Sequence, residues 1–140
     1  RAFAPILAAS DGGGSDGGGG GAIVNILSIG ALFSLPEFGS YSVAKWAAAA
    51  MSIAVRAELH AQRTLVASVY TAGVESDMSK NTPGPKMSAP DHAREVLDAV
   101  EAGVEDVYPG KAVDFRDRIR NDPKGFEREV LGRFLTAPLG

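Results

Sequence analysis

Two short segments of the chain are apolar on both alternating sets of positions, which is typical of strands covered on both faces. The first, "AIVNILS", spans 22–28, and the second, "LVASVY", spans 65–70. Between them, apolar residues recur with helical periodicity over 40–62, and this pattern predicts a long helix. A strand, a helix and a strand at this spacing predict a right-handed βαβ unit with parallel strands.

The chain after the second strand predicts another helix and a third strand. The sequence "APDHAREVLDAVEAG" over 89–103 has helical periodicity, with Asp91 as its expected cap and Gly103 as its expected stop. The segment "VEDVY" over 104–108 is the third predicted strand, and 111–140 predicts one or two short helices. This alternation of strands and helices indicates the α/β class with a parallel sheet.

A glycine-rich segment interrupts the chain near its start. Residues 1–9 have the pattern of a helix end, and "DGGGSDGGGGG" at 11–21 predicts a flexible surface loop, because ordered glycine loses the most backbone entropy. In the dinucleotide-binding fingerprint the glycines lie between a strand and the helix that follows it. Here they precede a strand, so the order argues against a phosphate-binding loop.

Apolar residues cover most of the circumference of the helix predicted over 40–62. We expect one apolar face to pack on the sheet and another to pack against a second copy of the chain. One apolar stripe comprises Val43, Trp46, Ala50, Ile53 and Ala57, and the other comprises Ala44, Ala48, Met51 and Val55. The narrow polar strip that remains carries Tyr41, Lys45, Ser52 and Arg56.

The amino-acid composition is that of an ordinary globular protein, so it does not alter the predicted α/β fold. The net charge of −3 gives no electrostatic case for binding nucleic acid or an anionic membrane. There is no cysteine for disulfides, and no apolar run approaches the roughly 20 residues of a membrane helix. We expect a single domain over 1–140 and a cytoplasmic location.

Three polar residues at the end of one apolar run and the start of the next suggest proton transfer. Tyr41 and Lys45 are one helical turn apart and share a face, and Ser28 lies at the end of the first strand. Tyrosine ordinarily titrates near 10, too high for a base near neutrality, but an adjacent ammonium and a helix N-terminus favour the phenolate. A serine hydroxyl can donate to a substrate oxygen as charge develops on it.

The segment "GAIVNILSIGALFSLPEFGSYSVAK" resembles the active-site segment of the short-chain dehydrogenase/reductase family, in its NAD(P)-dependent, Rossmann-fold branch. The resemblance implies that Ser28 orients the substrate and that Tyr41 is the general acid/base. It implies that Lys45 favours the tyrosinate and holds the nicotinamide ribose hydroxyls. The activity implied is hydride transfer between NAD or NADP and a small alcohol or carbonyl compound.

The segment "YTAGVESDM" at 70–78 is similar to the family stretch that packs on the nicotinamide. The resemblance implies cofactor contacts by Val74 and by Ser76, which stands where a threonine usually contacts the carboxamide. The family usually has Pro-Gly where this chain has Thr71-Ala72.

The resemblance covers most of residues 1–110 and implies a partial Rossmann fold, the last strands of a doubly wound sheet. The glycine-rich pyrophosphate turn and the residue that selects NAD or NADP are expected before Arg1. We therefore expect the chain to be the C-terminal part of a longer enzyme and to be inactive alone. In the family, the helix matching 40–62 commonly forms a dimer interface, which implies a homo-oligomer.

Two other functions stay open at this point. One is non-redox proton chemistry by the Ser–Tyr pair, as in related epimerases, lyases or dehalogenases, and the other is a non-catalytic dimerising role. The expected substrate pocket comprises Ile29, Gly30 and Phe38. For Phe33, Val74 and Met78, pocket lining and core packing are equally open. We expect His60 to interact with a helix C-terminus and His92 to be exposed, so neither suggests a metal site.

Overall fold

The computed structural model describes residues 2–10, 20–34 and 36–135, apart from the side chains of Arg133 and Phe134. The strands are β1 (Ala22–Ile26), β2 (Leu65–Val69) and β3 (Asp106–Val107). The α-helices are α1 (Ala4–Ala8), α2 (Gly39–Leu59), α3 (Ala89–Glu101), α4 (Ala112–Asn121) and α5 (Pro123–Leu135). Short 3₁₀ turns lie at Ile29–Ala31, Pro36–Phe38 and His60–Gln62.

The strands form one parallel sheet in the order β1-β2-β3. β1 and β2 pair along their whole length, from Ala22 opposite Leu65 to Ile26 opposite Val69. β2 is central and is the most deeply buried element, which fits its continuous apolar pattern. This alternation of strands and helices confirms the α/β class and the partial, doubly wound sheet expected from the sequence.

The helices that follow β1 and β2 lie on opposite faces of the sheet. Ser68 of β2 faces α2, because Arg56 of that helix contacts the Ser68 hydroxyl. The next residue, Val69, points the other way and packs with Val96 of α3. Since the strand order advances in one direction, the two crossovers have opposite hands, and only one of them can follow the right-handed preference.

The polar strip of α2 faces the sheet together with Ala48 and Ala49, while most of its large apolar residues point away. Ser52 is only 1 % exposed and accepts a hydrogen bond from Asn25 of β1, while Arg56 donates to the Val66 carbonyl. By contrast, Val43 and Ile53 are 70 % and 61 % exposed. The prediction that an apolar stripe would cover the sheet was therefore wrong for the stripe that contains Val43 and Ile53, whereas Ala48 of the other stripe does pack on the core. The reason is that the half-buried Asn25 amide needs an acceptor and the Val66 carbonyl needs a donor, and Ser52 and Arg56 of the polar strip supply them.

Two predicted boundaries move for local reasons. The cap of α3 is Ser88, whose hydroxyl oxygen accepts a hydrogen bond from the Asp91 amide at 3.2 Å. The same hydroxyl donates a hydrogen bond to the Asp91 carboxylate at 2.6 Å. Asp91 is therefore the partner of the cap and not the cap itself. The stop at Gly103 is confirmed by its left-handed φ of 71°. β3 has two residues in place of the predicted 104–108.

The described ends of the chain pack against the sheet layer. The glycine-rich loop predicted at 11–21 lies outside the described residues except for its last two positions. There Gly20 has a φ of 154°, and a Cβ on it would collide with the Arg63 carbonyl, so glycine is required. At the other end, Phe115 of α4 and Phe126 of α5 pack on Phe33, the residue for which pocket lining and core packing were open.

Candidate active site

The Ser28 hydroxyl lies at the carboxyl end of β1, two residues beyond the strand. Its backbone is extended, and its oxygen accepts a hydrogen bond from the Gly30 amide at 3.0 Å. This bond starts the 3₁₀ turn at Ile29–Ala31. The amide uses a lone pair of the hydroxyl oxygen, so the Ser28 O–H remains able to donate to a ligand.

Tyr41 meets Ser28 beside Gly30. A Cβ on Gly30 would lie 3.3 Å from Cε1 of Tyr41 and 3.4 Å from Oγ of Ser28. The tyrosine ring and the serine hydroxyl therefore converge on one point, which the absence of a side chain at position 30 leaves open. Tyr41 is 36 % exposed, so a ligand can reach it.

The Lys45 ammonium lies one helical turn from Tyr41 and is held in place by β1. Its Nζ donates to the Ile26 carbonyl at 3.1 Å and lies 5.7 Å from the centroid of the Tyr41 ring. Tyr41 is in the first turn of α2, whose N-cap residue, Phe38, makes no side-chain capping bond. The positive charge of Lys45 and the positive end of the helix dipole thus both lie near the tyrosine.

The loop from 71 to 88 follows β2 and is held largely by contacts within itself. Val74 bridges Met87, and the hydrogen bonds of Ser76 go to Val74 and Ser79 within the same loop. Ser76 is therefore not hydrogen-bonded to the Ser28–Tyr41 cluster. Met78 is 81 % exposed, so it does not belong to the core of the chain.

The residues predicted for the substrate pocket differ in their surroundings. Ile29 and Gly30 are half-buried in the turn that follows Ser28. Phe38 is exposed just ahead of α2. All three positions precede Tyr41 along the chain, and of the three, Gly30 is the one that lies against the Tyr41 ring.

Sequence reasoning missed a contact between Thr71 and His92. The Oγ1 atom of Thr71 lies 3.0 Å from Nε2 of His92, and the Thr71 carbonyl accepts from the Ile29 amide at 3.0 Å. His92 is half-buried, so the prediction of an exposed histidine was wrong. Burial lowers the pKa of His92, and the nearby Glu95 carboxylate partly opposes this effect. No local pattern signals a contact between residues 21 positions apart.

The site lies at the carboxyl ends of β1 and β2, where the two following segments lead to opposite faces of the sheet. The segment after β1 leads to α2 on one face, and the segment after β2 leads to α3 on the other. In open parallel sheets such a divergence leaves a crevice at the carboxyl ends of the strands, where ligands bind. The sequence profile of the short chain dehydrogenase family matches residues 6–86, which include both segments. The chain belongs to the short-chain dehydrogenase family.

Two solved structures are similar to this chain. One is a short chain dehydrogenase from Burkholderia cenocepacia J2315 in complex with NADP, with 36% sequence identity and a TM-score of 0.82, covering 94% of this chain and 54% of that one. The other is the bulky-bulky ketone specific alcohol dehydrogenase from Comamonas testosteroni, with 21% identity and a TM-score of 0.59, covering 91% and 47%. The second shows the fold alone. No curated protein matched the chain.

The chain spans about half the length of the solved structures that it matches. Within its described residues, no group of three or more His, Asp or Glu side chains is arranged to hold a metal ion. The described helices include none that is both long and apolar enough to cross a bilayer. The hydroxyls of Ser28 and Tyr41 and the ammonium of Lys45 are groups that bind carbonyl, alcohol and sugar oxygens.

Proposed function

We propose that this chain supplies the proton-transfer site and the nicotinamide end of the cofactor site in an NAD(P)-dependent oxidoreductase. The observation that carries the proposal is the convergence of Ser28 and Tyr41 on Gly30, with the Lys45 ammonium one turn away. The substrate is a small alcohol or carbonyl compound. The 140 residues form the C-terminal part of a single NAD(P)-binding domain, and the activity belongs to the whole protein.

Each residue of the cluster has one task in this proposal. Tyr41 gives a proton to the substrate oxygen in reduction and takes it back in oxidation. Ser28 donates a hydrogen bond to the same oxygen, using the O–H that its contact with Gly30 leaves available. Lys45 stabilises the tyrosinate through its positive charge. The nicotinamide cofactor, when bound, supplies or accepts the hydride.

The cofactor proposed is NAD or NADP, and its fit rests on the donors near Tyr41. Lys45 has a compact ammonium with three N–H groups, one of which bonds the Ile26 carbonyl. The other two can hold ribose hydroxyls together with Tyr41. In this proposal Val74 and Ser76 contact the nicotinamide from the loop that follows β2. The NADP in the Burkholderia cenocepacia structure supports this class of cofactor.

A second copy of the chain is the proposed partner of the exposed face of α2. Val43, Trp46 and Ile53 recur at helical spacing on this face, and 52 % of Trp46 is exposed. Apolar residues clustered in this way on one helix are typical of a surface that packs against another protein. The proposal is a homo-oligomer in which α2 of one subunit packs on α2 of the other.

The test of the catalytic proposal is Tyr41→Phe in the whole protein, measured as oxidation of NADH or NADPH with a panel of ketones and aldehydes. Loss of the phenol is expected to lower kcat by about 100-fold or more. The matched control is Tyr108→Phe, because the ring of Tyr108 stacks on Tyr70 rather than on the residues of the cluster. Equal activity in the Tyr41 and Tyr108 variants would rule out Tyr41 as the acid/base.

A further inference from the structure

Thr71 is the residue at which three parts of the chain meet. Its carbonyl oxygen accepts from the Ile29 amide at 3.0 Å, which ties it to the turn that carries Ser28 and Gly30. Its hydroxyl lies 3.0 Å from Nε2 of His92 in the first turns of α3. Its own amide donates to the Val69 carbonyl at the end of β2. A shift of Thr71 therefore moves the partner of the Ile29 amide.

His92 is carried by a helix that is capped at its start and packed on the sheet. It follows the Ser88 cap of α3, and the same helix buries Val96 against Val69 of β2. His92 is half-buried, and the charged group that acts on it is Glu95, whose carboxylate accepts from the Gly110 amide at 2.9 Å. The imidazole is thus fixed to the sheet by the helix that carries it.

The same contact closes the base of the loop from 71 to 88. Inside it, the Met87 amide donates to the Gly73 carbonyl and the Glu75 amide donates to the Met87 carbonyl, both at 2.9 Å. The Thr71–His92 bond lies outside these two and joins the first residue of the loop to the helix that follows it. These bonds therefore fix the distance between the two ends of the loop, where it leaves β2 and where it enters α3.

We propose that His92 is a positioning residue for the active site, acting through Thr71 on the turn that presents the Ser28 hydroxyl. The His92 side chain holds Thr71, the Thr71 carbonyl holds the Ile29 amide, and the turn between Ser28 and Ala31 keeps the hydroxyl beside Tyr41. The catalytic consequence rests on the proposed function, whereas the mechanical coupling from position 92 to position 29 does not.

The coupling is tested by amide hydrogen exchange at Ile29 in the whole protein, because this amide is the donor to Thr71. Thr71→Val removes the hydroxyl and keeps the β-branched shape, and Thr71→Ser keeps the hydroxyl. We expect Thr71→Val and His92→Ala each to speed exchange at Ile29 by about fivefold, the size of one lost hydrogen bond. The double variant is expected to exchange no faster than either single variant.

Thr64→Val is the matched control for Thr71→Val. Thr64 precedes β2, as Thr71 follows it, and its hydroxyl is bonded to Gln62 at 2.7 Å, far from the site along the strand. Exchange at Ile29 is expected to be unchanged in this variant and in Thr71→Ser. Equal exchange at Ile29 in the parent and in His92→Ala would overturn the proposal. Faster exchange in Thr64→Val as well would also overturn it, because the effect would be general loosening.

Kinetics distinguish positioning of Ser28 from a purely structural role. His92→Ala is expected to lower kcat by about fivefold with a smaller change in KM for the cofactor, since the bond from Ser28 strengthens in the transition state. In a Ser28→Ala background the same change is expected to have no further effect on kcat. An undiminished loss in that background would contradict action through Ser28. An inactive parent protein with the expected exchange pattern would refute the proposed function and leave the coupling standing.

Discussion

Arg56 of α2 and Asp106 of β3 form an ion pair with 3.0 Å between Nη2 and Oδ1. The same guanidinium donates through Nε to the Val66 carbonyl at 3.1 Å and lies 3.2 Å from the Glu105 carboxylate. A single side chain thus ties a helix on one face of the sheet to the two strands beside it. The side chain is only 19% exposed, so its bonds are partly shielded from water.

Arg56→Ala is therefore expected to lower the free energy of unfolding by about 2 kcal/mol, because two carboxylates and a carbonyl lose their donor. Urea unfolding followed by circular dichroism measures this change. Arg94→Ala is the control, because Arg94 pairs with Asp91 at the surface and such pairs contribute less than about 1 kcal/mol. Equal losses in the two variants would show that the Arg56 cluster is no more stabilising than a surface pair.

Gly30→Ala is expected to lower kcat by about tenfold with little loss of stability. The added methyl group would lie 3.3 Å from the Tyr41 ring and 3.4 Å from the Ser28 hydroxyl, so the two groups must move apart by a few tenths of an ångström. Gly39→Ala is the control, because a Cβ there meets nothing within 4 Å. Steady-state kinetics and thermal unfolding of both variants check the prediction, and full activity in Gly30→Ala would contradict it.

Stability is expected to fall in acid through His92. Burial lowers the pKa of His92 from its ordinary value of 6.5, so the folded protein favours the neutral ring and the unfolded chain takes up the proton first. The contribution of His92 to stability is complete above pH 6.5 and is lost as the pH falls from there through the lowered pKa. Unfolding in urea between pH 8 and pH 5 measures it.

His92→Gln is expected to flatten that pH dependence, because the amide does not titrate. His60→Gln is the control, since His60 is exposed at the end of α2. A slope between pH 6.5 and pH 5 that His92→Gln leaves unchanged would assign the titration to other groups.

Ile53→Glu is expected to convert the proposed oligomer to monomers, because it places a charge on the exposed apolar face of α2. Leu97→Glu is the matched control, since Leu97 is 59 % exposed on α3, close to the value for Ile53. Sedimentation equilibrium of the whole protein gives the mass in each case. A monomeric parent, or equal dissociation by both variants, would contradict an interface at α2.

The strands, the long helix and the local spacing of the site could be read from the sequence. The periods that define β1, β2 and α2 are local properties of the chain, and Tyr41 and Lys45 share a helical face by their spacing alone. Ser28 and Tyr41 are 13 residues apart, so they come together only if the chain turns between them. Such a turn is expected because ligands of open parallel sheets bind at the carboxyl ends of the strands, where Ser28 lies.

The orientation of α2 could not be read in the same way. Its periodicity marks an apolar and a polar side but does not say which side meets the sheet, and Ser52 and Arg56 face the sheet because Asn25 and the Val66 carbonyl require partners there. The contact between Thr71 and His92 is equally invisible, since it depends on how the loop from 71 to 88 returns. Tertiary hydrogen bonding decided both features.

The opposite hands of the two crossovers have a consequence for how this fold can change. The loop from 71 to 88 connects β2 to a helix on the other face of the sheet, so it lies outside the unit formed by β1, α2 and β2. Insertions or deletions at the tip of this loop are expected to leave the register of β2 and the packing of α3 on the sheet unchanged. The length of this loop can therefore change while Ser28, Tyr41 and Lys45, which belong to the other crossover, keep their places.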